Sequence, residues 1–296
     1  MPTLFLHAGL AKTGTSAIQR WFDQNAAALG ATGICYPRYY PDAPFFFPSD
    51  SVEKQQFLVG ELRSHGPRTL LKVAEENRGR SILLSTEGMT NHLQDFAPEH
   101  LQAFRTLFAE YKVKALLVTR DLDSWSRSYY KQALISPNNG ASELWGSVLG
   151  FDDFVRQPRF QRLCDTEALT AGLSTAFNAD VTVIKYSRSM KDELCAWLGV
   201  DPNTLSDIPQ VHESIPDWGA EIMRRLNGIE HEMHDRAAFI SALRAGEEQN
   251  SGGSGSPELR PDLLKAVKDS PSAFPLAQEA EAFLTRRLGQ TNGAAP

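Results

Sequence analysis

A short run of glycine, lysine and hydroxyl residues occupies positions 9–16, with the sequence Gly-Leu-Ala-Lys-Thr-Gly-Thr-Ser. Backbone N–H groups at a helix start, together with the helix dipole, bind negatively charged groups. Gly14 lets the backbone turn closely around an oxyanion, and Lys12 adds a positive charge. Three hydroxyl donors complete the run: Thr13, Thr15 and Ser16. We therefore predict a phosphate- or sulfate-binding loop here; the alternative is a capped helix after a turn that happens to contain lysine.

The order of residues in this loop differs from that of a Walker A motif, in which lysine follows the second glycine. Here Lys12 precedes Gly14. The third predicted strand ends in Thr119-Arg120-Asp121, which is not a convincing Walker B ending. The sequence thus disfavours a magnesium-dependent kinase or NTPase, which stays the first alternative function.

A second cationic residue, Arg120, follows that third strand directly. Guanidinium suits phosphate because it stays charged and donates a planar pair of hydrogen bonds. The carboxyl ends of strands in an open α/β sheet form the edge where ligands bind. We therefore expect Arg120 to lie at the same edge as the loop.

A candidate general base follows the second predicted strand, where the sequence reads Leu84-Ser85-Thr86-Glu87-Gly88. Group transfer to a hydroxyl or amine needs a residue that accepts the proton of the acceptor. Glu87 is our first choice and His92, five residues later, is the competitor. Three other histidines stay open as bases: His7, His65 and His212. A structural role for Glu87, such as pairing with Lys12, is also open.

Four apolar runs predict the strands that position these residues: Thr3–Ala8, Ser81–Thr86, Val113–Thr119 and Val181–Tyr186. Helical patterns separate them. Nine helices are predicted: from Thr15 through Ile18, Trp21, Phe22 and Leu29, with Thr15 or Ser16 as cap, and over Thr69–Asn77, Pro98–Tyr111, Asp123–Ile135, Asp165–Phe177, Met190–Leu198, Asp217–Asn227, around Ala237–Leu243 and over Leu276–Leu288. Strands that alternate with helices predict an α/β fold with a central parallel sheet covered by helices on both faces.

We expect one domain over residues 1–296, with a core of about 3–230 and a helical C-terminal extension over 231–296. Within that extension the Gly/Ser-rich stretch at 250–257 predicts a flexible loop. Three segments are candidates for the wall of an acceptor pocket: the Pro- and aromatic-rich 36–51, the loop around Ser136–Gly146, and the region after Val211.

The net charge, the apolar runs and the cysteine content of the chain disfavour several classes of function. A net charge of −6 argues against broad binding of nucleic acid, although a few cations in one cleft can still hold an anionic ligand. No apolar run approaches a membrane span, and the first apolar stretch reads as a strand and not as a secretion signal. Three scattered cysteines suggest a reducing compartment, so we expect a cytoplasmic protein. No cluster with zinc-ligand spacing occurs, and we expect no metal.

These motifs resemble the PAPS-dependent sulfotransferase family, where PAPS is 3′-phosphoadenosine 5′-phosphosulfate. The run His7-Ala-Gly-Leu-Ala-Lys-Thr-Gly-Thr-Ser, followed by Tyr36-Pro37, looks like the bacterial branch of that family. The resemblance implies a P-loop-type fold in which Lys12 contacts the oxygen that bridges phosphate and sulfate. It also implies that Arg120 and Ser128, eight positions later, bind the 3′-phosphate. In several Golgi carbohydrate sulfotransferases a Glu at the corresponding strand end is the base, whereas the cytosolic small-molecule branch uses a His.

The resemblance therefore implies an enzyme that moves the sulfuryl group of PAPS to a hydroxyl or amine and releases PAP. A carbohydrate or other polar hydroxyl is the favoured acceptor class, and the sequence predicts no oligomeric state. The second alternative is a sulfotransferase-like protein that binds a nucleotide or a partner without turnover.

Overall fold

The computed structural model describes residues 1–37, 55, 57–136, 142–187, 189–210, 215, 217–228 and 240. These residues fall into two compact units. The first contains the described residues of Met1–Trp125 and Pro158–Val211, and the second contains those of Ser126–Gln157 and His212–Pro296. The expectation of a single domain stays a prediction. The expected C-terminal extension over 231–296, with its loop at 250–257, lies outside the described residues except for position 240.

A parallel five-stranded sheet forms the centre of the first unit. Its strands are β1 (Thr3–His7), β2 (Ile34–Cys35), β3 (Ser81–Ser85), β4 (Lys112–Thr119) and β5 (Asp180–Lys185). Their spatial order is β2-β3-β1-β4-β5, and every neighbouring pair is parallel. This confirms the expected α/β fold with a parallel sheet, and the four predicted strands agree with the structure to within one residue at each end.

Twelve α-helices are found in the described residues. In chain order they are α1 (Thr15–Gln24), α2 (Ala26–Ala31), α3 (Phe57–Gly60), α4 (Arg68–Glu76), α5 (Gly88–Asn91), α6 (Pro98–Leu107), α7 (Leu122–Ile135), α8 (Phe151–Phe154), α9 (Pro158–Cys164), α10 (Thr166–Phe177), α11 (Met190–Leu198) and α12 (Asp217–Asn227). A π-helical turn covers Glu61–His65, and 3₁₀ turns cover Leu93–Asp95 and Pro202–Thr204. None of the helices in the described residues is long and apolar enough to cross a membrane.

The three central strands β3, β1 and β4 form in this way because most of their side chains are buried on both faces of the sheet, whereas β5 at the edge is largely exposed. In β1, Leu4 and Leu6 are fully buried, and Phe5 joins a core that includes Trp21 and Phe22 of α1. Parallel strands covered on both faces appear in sequence as continuous apolar runs, which explains why β1, β3 and β4 could be predicted. The edge strand β5 could be predicted from its β-branched residues Val181, Val183 and Ile184. The fifth, β2, has only two residues and no such run.

The second unit is built around Phe154 of α8. The rings of Tyr129 and Tyr130, both on α7, lie 6.3 and 5.0 Å from the Phe154 ring. The side-chain amide of Asn227, at the end of α12, donates hydrogen bonds to the carbonyls of Leu134 (2.9 Å) and Ser147 (3.0 Å). These contacts attach α12 to α7 within this unit.

Candidate functional site

The candidate site lies at the carboxyl edge of the sheet in the first unit. The four neighbouring strands β3, β1, β4 and β5 are parallel, so the residues that follow them lie along one edge. In that spatial order they are Glu87 after β3, the loop at positions 9–14 after β1, Arg120 after β4 and Tyr186 after β5. The chain order reverses beside β1, which is the position where open α/β sheets bind ligands.

The loop between β1 and α1 turns through two left-handed residues, Lys12 (φ 68°) and Gly14 (φ 81°). A lysine in this region is uncommon, and such residues are held in place by their surroundings. Gly14 is the N-cap residue of α1 and makes no side-chain cap, so the predicted capping by Thr15 or Ser16 is wrong. The first N–H groups of a helix have no partner inside the helix, which suits this end to an anion.

Four successive carbonyls of the loop accept hydrogen bonds. The pairs are Gly9 O from Thr90 Oγ1 (3.1 Å, a proton shared with Glu87 O at 2.9 Å), Leu10 O from Thr13 Oγ1 (2.6 Å) and Thr13 N (3.3 Å), Ala11 O from Trp125 Nε1 (2.9 Å), and Lys12 O from Arg120 Nη1 (3.5 Å). Three of the four donor residues come from distant parts of the chain. The loop is therefore shaped by tertiary contacts as well as by its own sequence.

The three hydroxyl residues of the loop lie in different environments. Thr13 is fully buried, and its hydroxyl is directed at Leu10 O within the loop. Thr15 is buried, with its methyl group close to Gly9, and Ser16 is partly exposed. Their expected roles as ligand donors stay predictions, with Ser16 the most accessible of the three.

His7 lies beneath the loop. A methyl group placed on Gly9 would come within 2.9 Å of His7 Nε2, so glycine allows this close approach. His7 Nδ1 is 2.7 Å from Ser85 Oγ, and burial lowers the pKa of His7 to about 3. Nε2 is buried and finds no hydrogen-bond partner among the residues that the structure describes. A neutral, packed imidazole of this kind supports the loop and is poorly suited to act as a base.

Arg120 comes close to the loop through its exposed guanidinium. Besides the long hydrogen bond to Lys12 O, the guanidinium carbon lies over the Tyr186 ring, 5.6 Å from its centroid. The next residue, Asp121, accepts a hydrogen bond from the backbone N–H of Ser124 at 3.0 Å and starts α7. That bond lowers the pKa of the Asp121 carboxyl. The structure thus brings Arg120 and the backbone of Lys12 together at one edge.

Tyr186 belongs to the site although the sequence reasoning did not select it. A methyl group on Gly14 would lie only 2.6 Å from Tyr186 Cε2, so the ring edge packs directly against the loop. The ring is 42% exposed and lies beside Arg120. Its position at the end of a predicted strand was a usable signal, because that end must lie at the ligand edge.

Ser128, the predicted partner of Arg120, lies on α7 and is partly exposed. It belongs to the second unit, whereas Arg120 belongs to the first. Its role stays a prediction.

Glu87 lies at the start of α5 and is partly buried. Its carboxylate accepts a long hydrogen bond (3.4 Å) from Gln19 Nε2, and the same amide nitrogen lies 3.4 Å from Ser85 O. Gln19 is fully buried on α1, five residues after Gly14. This contact links the helix that starts at the loop to the candidate base.

His92, the competing base, is part of a buried ionic cluster. Its Nδ1 lies 2.9 Å from Asp95 Oδ2, and Arg159 donates to both Asp95 oxygens (2.8 and 2.9 Å) and to Asn91 O (2.8 Å). Burial lowers the pKa of His92, although the hydrogen bond to Asp95 opposes this. For Asp95, burial acts to raise the pKa, but the bonds from Arg159 and His92 hold it below its usual value. These contacts attach α5 to α9 and favour a structural role for His92.

The remaining candidates lie elsewhere. His65 is exposed at the end of the π-helical turn, and His212 lies outside the described residues. Most of the three segments expected to wall an acceptor pocket, including 38–51 and 137–141, also lies outside them. Over the described ranges, no three His, Cys, Asp or Glu side chains are grouped to hold a metal ion.

The second unit has a groove of its own, with a volume of about 240 Å³. Its wall contains two ion pairs, Lys131–Asp217 and Arg224–Glu221, and the ring of Phe151 with Arg127 above it. Each ion pair is neutral within itself, so the guanidinium of Arg127 leaves the wall of the groove with one net positive charge.

Comparisons with known proteins assign no family: no protein-family model matches the chain, and no curated protein matches it either.

Proposed function

We propose that this chain is a sulfotransferase that binds PAPS and transfers its sulfuryl group to a hydroxyl or amine. The observation that carries the proposal is the contact between the two cationic segments, with Arg120 Nη1 3.5 Å from the backbone oxygen of Lys12. A nucleotide with charged groups at both its 5′ and 3′ positions needs two such anchors close together. A nucleotide with a single phosphate chain needs only the loop.

The loop has the features of a binding site for the 5′-phosphosulfate group of PAPS. Gly14 lets the Tyr186 ring and the loop backbone approach each other, and the start of α1 offers N–H groups to an anion. Four carbonyls are held by hydrogen bonds within the protein and do not compete for that position. These observations favour a phosphosulfate group over a cationic or neutral ligand.

Arg120 would hold the 3′-phosphate. Its guanidinium is exposed at the ligand edge and offers the planar hydrogen-bond pair that phosphate accepts. The partly exposed ring of Tyr186, between the loop and Arg120, would contact the nucleoside between the two charged ends. The parallel sheet and a glycine loop directly after a central strand are consistent with a P-loop-type sulfotransferase fold.

In the proposed reaction PAPS supplies the sulfuryl group, and the protein supplies a base and charge stabilisation. Glu87 takes the proton of the acceptor as the new bond to sulfur forms. Lys12 and the loop N–H groups stabilise the bridging oxygen, which becomes negative as its bond to sulfur breaks. Gln19 contacts the Glu87 carboxylate from the side of α1, which helps to fix its direction. A sugar or other polar hydroxyl is the acceptor class we favour.

Thermal unfolding with matched nucleotides tests the proposal without knowledge of the acceptor. The melting temperature is measured with PAP, with 5′-AMP and with Mg-ATP at equal concentrations. A ligand at 100 times its Kd stabilises the native state by about 2.7 kcal/mol, so a tight nucleotide gives a clear shift. We expect a much larger shift with PAP than with 5′-AMP or Mg-ATP. Equal shifts with PAP and 5′-AMP would overturn the proposal, and a shift confined to Mg-ATP would indicate a kinase or NTPase.

A further inference from the structure

The carbonyls of Ala11 and Lys12 are held by two residues from one short segment of the chain. Trp125 Nε1 donates to Ala11 O at 2.9 Å, and Arg120 Nη1 donates to Lys12 O at 3.5 Å. Both donors lie where β4 leads into α7, which starts at Leu122. The segment that carries the proposed 3′-phosphate contact therefore also holds the loop proposed for the 5′ end.

The direction of a carbonyl fixes the direction of the next N–H group. In a trans peptide the C=O of one residue and the N–H of the following residue point in opposite directions. The structure has no cis peptide bond among the described residues, so this holds for the loop. Because Trp125 holds Ala11 O, the N–H of Lys12 is directed away from Trp125.

Trp125 is well suited to hold a backbone group in a fixed position. Its side chain is 2% exposed, and its ring stacks on Phe160 with centroids 5.3 Å apart and planes 27° apart. The ring therefore has little freedom to turn. The loop residue next to its bond, Lys12, has the left-handed φ of 68° that needs support from its surroundings.

We propose that Trp125 is a positioning residue for the anion loop: it touches no ligand, but its indole N–H holds the loop in the shape that binds the 5′ end of the nucleotide. This inference rests on the proposed function for the identity of the nucleotide. It assigns a role in both halves of the site to the segment that joins β4 to the first turn of α7, through Arg120 at the 3′ end and through Trp125 at the 5′ end.

The variant Trp125→Phe tests this role, because phenylalanine keeps a ring on Phe160 and removes the N–H donor. Calorimetry gives the Kd for PAP and for adenosine 3′-monophosphate, which lacks the 5′-phosphate. Leaving a buried acceptor without its donor costs about 1–3 kcal/mol, which corresponds to roughly a 5- to 150-fold change in an equilibrium constant. We expect the Kd for PAP to rise at least fivefold and the Kd for adenosine 3′-monophosphate to change less than twofold. A merely structural role would change both equally.

Trp21→Phe is the matched control. Trp21 is buried, and its Nε1 donates to Ser206 O at 2.7 Å, which is the same kind of bond at another place in the first unit. This variant should lower the melting temperature to a similar degree and leave the Kd for PAP unchanged. If both variants weaken PAP equally, the effect is general destabilisation and the inference is wrong.

If Trp125→Phe does not fold, a second variant tests whether the hydrogen-bonded carbonyls keep the loop in its binding shape. Thr90→Val removes a hydroxyl that makes a further long-range contact with the loop, at 3.1 Å from Gly9 O; the same hydroxyl also lies 2.9 Å from Glu87 O. It should also raise the Kd for PAP more than that for adenosine 3′-monophosphate. If it leaves the ratio of the two constants unchanged, the loop does not depend on its held carbonyls, and the inference fails.

A failure of the proposed function can be distinguished from a failure of the role proposed for Trp125. If the wild-type chain does not prefer PAP over 5′-AMP, the sulfotransferase proposal fails, and inorganic pyrophosphate becomes the probe of the loop. Weaker binding of pyrophosphate by Trp125→Phe than by wild type then supports the role of Trp125. Equal binding, or no binding by the wild type, overturns it.

Discussion

The ring of Tyr186 packs its edge against Gly14, so closely that a methyl group on this glycine would lie 2.6 Å from Tyr186 Cε2. Gly14 also has a φ of 81°, which side chains other than glycine rarely adopt. Two independent features thus require glycine at the start of α1. The same ring lies under the guanidinium of Arg120, so one aromatic side chain contacts both parts of the candidate site.

Gly14→Ala should therefore harm both stability and nucleotide binding. The left-handed backbone alone costs an alanine about 1–2 kcal/mol. The contact with Tyr186 adds to this, because the ring or the loop must move. We expect a drop in melting temperature and at least a tenfold rise in the Kd for PAP, measured by thermal unfolding and calorimetry.

Gly33→Ala is the matched control for this prediction. Gly33 has a similar φ of 86°, but a methyl group there would meet no atom within 4 Å. Its loss of stability should reflect the backbone alone and be smaller than that of Gly14→Ala, with the Kd for PAP unchanged. The double variant Gly14→Ala/Tyr186→Ala should recover part of the stability lost in Gly14→Ala. If it recovers none, the packing of Tyr186 on Gly14 is not the source of the extra loss.

Arg120→Ala should remove the preference for PAP over 5′-AMP. Hydrogen bonds to charged groups contribute about 1.5–3 kcal/mol, which corresponds to a rise in the Kd for PAP of roughly 10- to 150-fold. The Kd for 5′-AMP should rise less than that for PAP, because this nucleotide has no 3′-phosphate and is affected only through the long bond from Arg120 to Lys12 O of the loop. Arg162→Ala, at an exposed arginine in the last turn of α9, is the control and should keep the preference. A preference that survives Arg120→Ala would place the 3′-phosphate elsewhere.

The strands and most helices of the first unit could be predicted because their signals are local. Apolar runs mark β1, β3, β4 and β5, and the end of each run indicates the edge where Glu87 and Arg120 lie. The helix predicted from Thr15 to Leu29 divides in the structure at Asn25. The side-chain amide of Asn25 donates to Trp21 O and to Ser206 Oγ, and such a contact with a residue far along the chain leaves no periodic pattern in the sequence.

The contacts that shape the site could not be predicted for the same reason. Trp125 donates to Ala11, 114 positions earlier, and Thr90 donates to Gly9, 81 positions earlier. The sequence of the loop indicates an anion site, but nothing in it specifies which distant side chains hold its carbonyls. Tyr186 is the exception, since its place directly after β5 follows from the parallel sheet.

Glu87→Gln should stop transfer and leave nucleotide binding intact. Glutamine keeps the shape of the side chain but accepts no proton, and a general base typically contributes about 10²- to 10⁴-fold to the rate. The measurement is transfer of radiolabelled sulfuryl from PAPS to a panel of sugars, phenols and amines, together with the Kd for PAP.

Two variants separate Glu87 from its alternatives. Glu99→Gln, at an exposed position in the first turn of α6, should leave transfer unchanged. His92→Gln should reduce transfer only a fewfold, because His92 is committed to Asp95 in the buried cluster. Near-normal turnover by Glu87→Gln, with a large loss in His92→Gln, would assign the base to His92.

His7 should make stability depend on pH. The folded chain keeps His7 neutral because burial lowers its pKa from 6.5 to about 3, whereas the unfolded chain takes up a proton near pH 6.5. The unfolded state thus binds more protons between pH 6.5 and about 3, and stability falls as the pH falls through this range. This single group should lower the free energy of unfolding by about 2 kcal/mol between pH 8 and pH 5. In His7→Asn, which does not titrate, urea unfolding at both pH values should show a correspondingly smaller decrease than in the wild type. An equal decrease in the two proteins would mean that the imidazole at the base of the loop becomes protonated in the folded chain as readily as in the unfolded one.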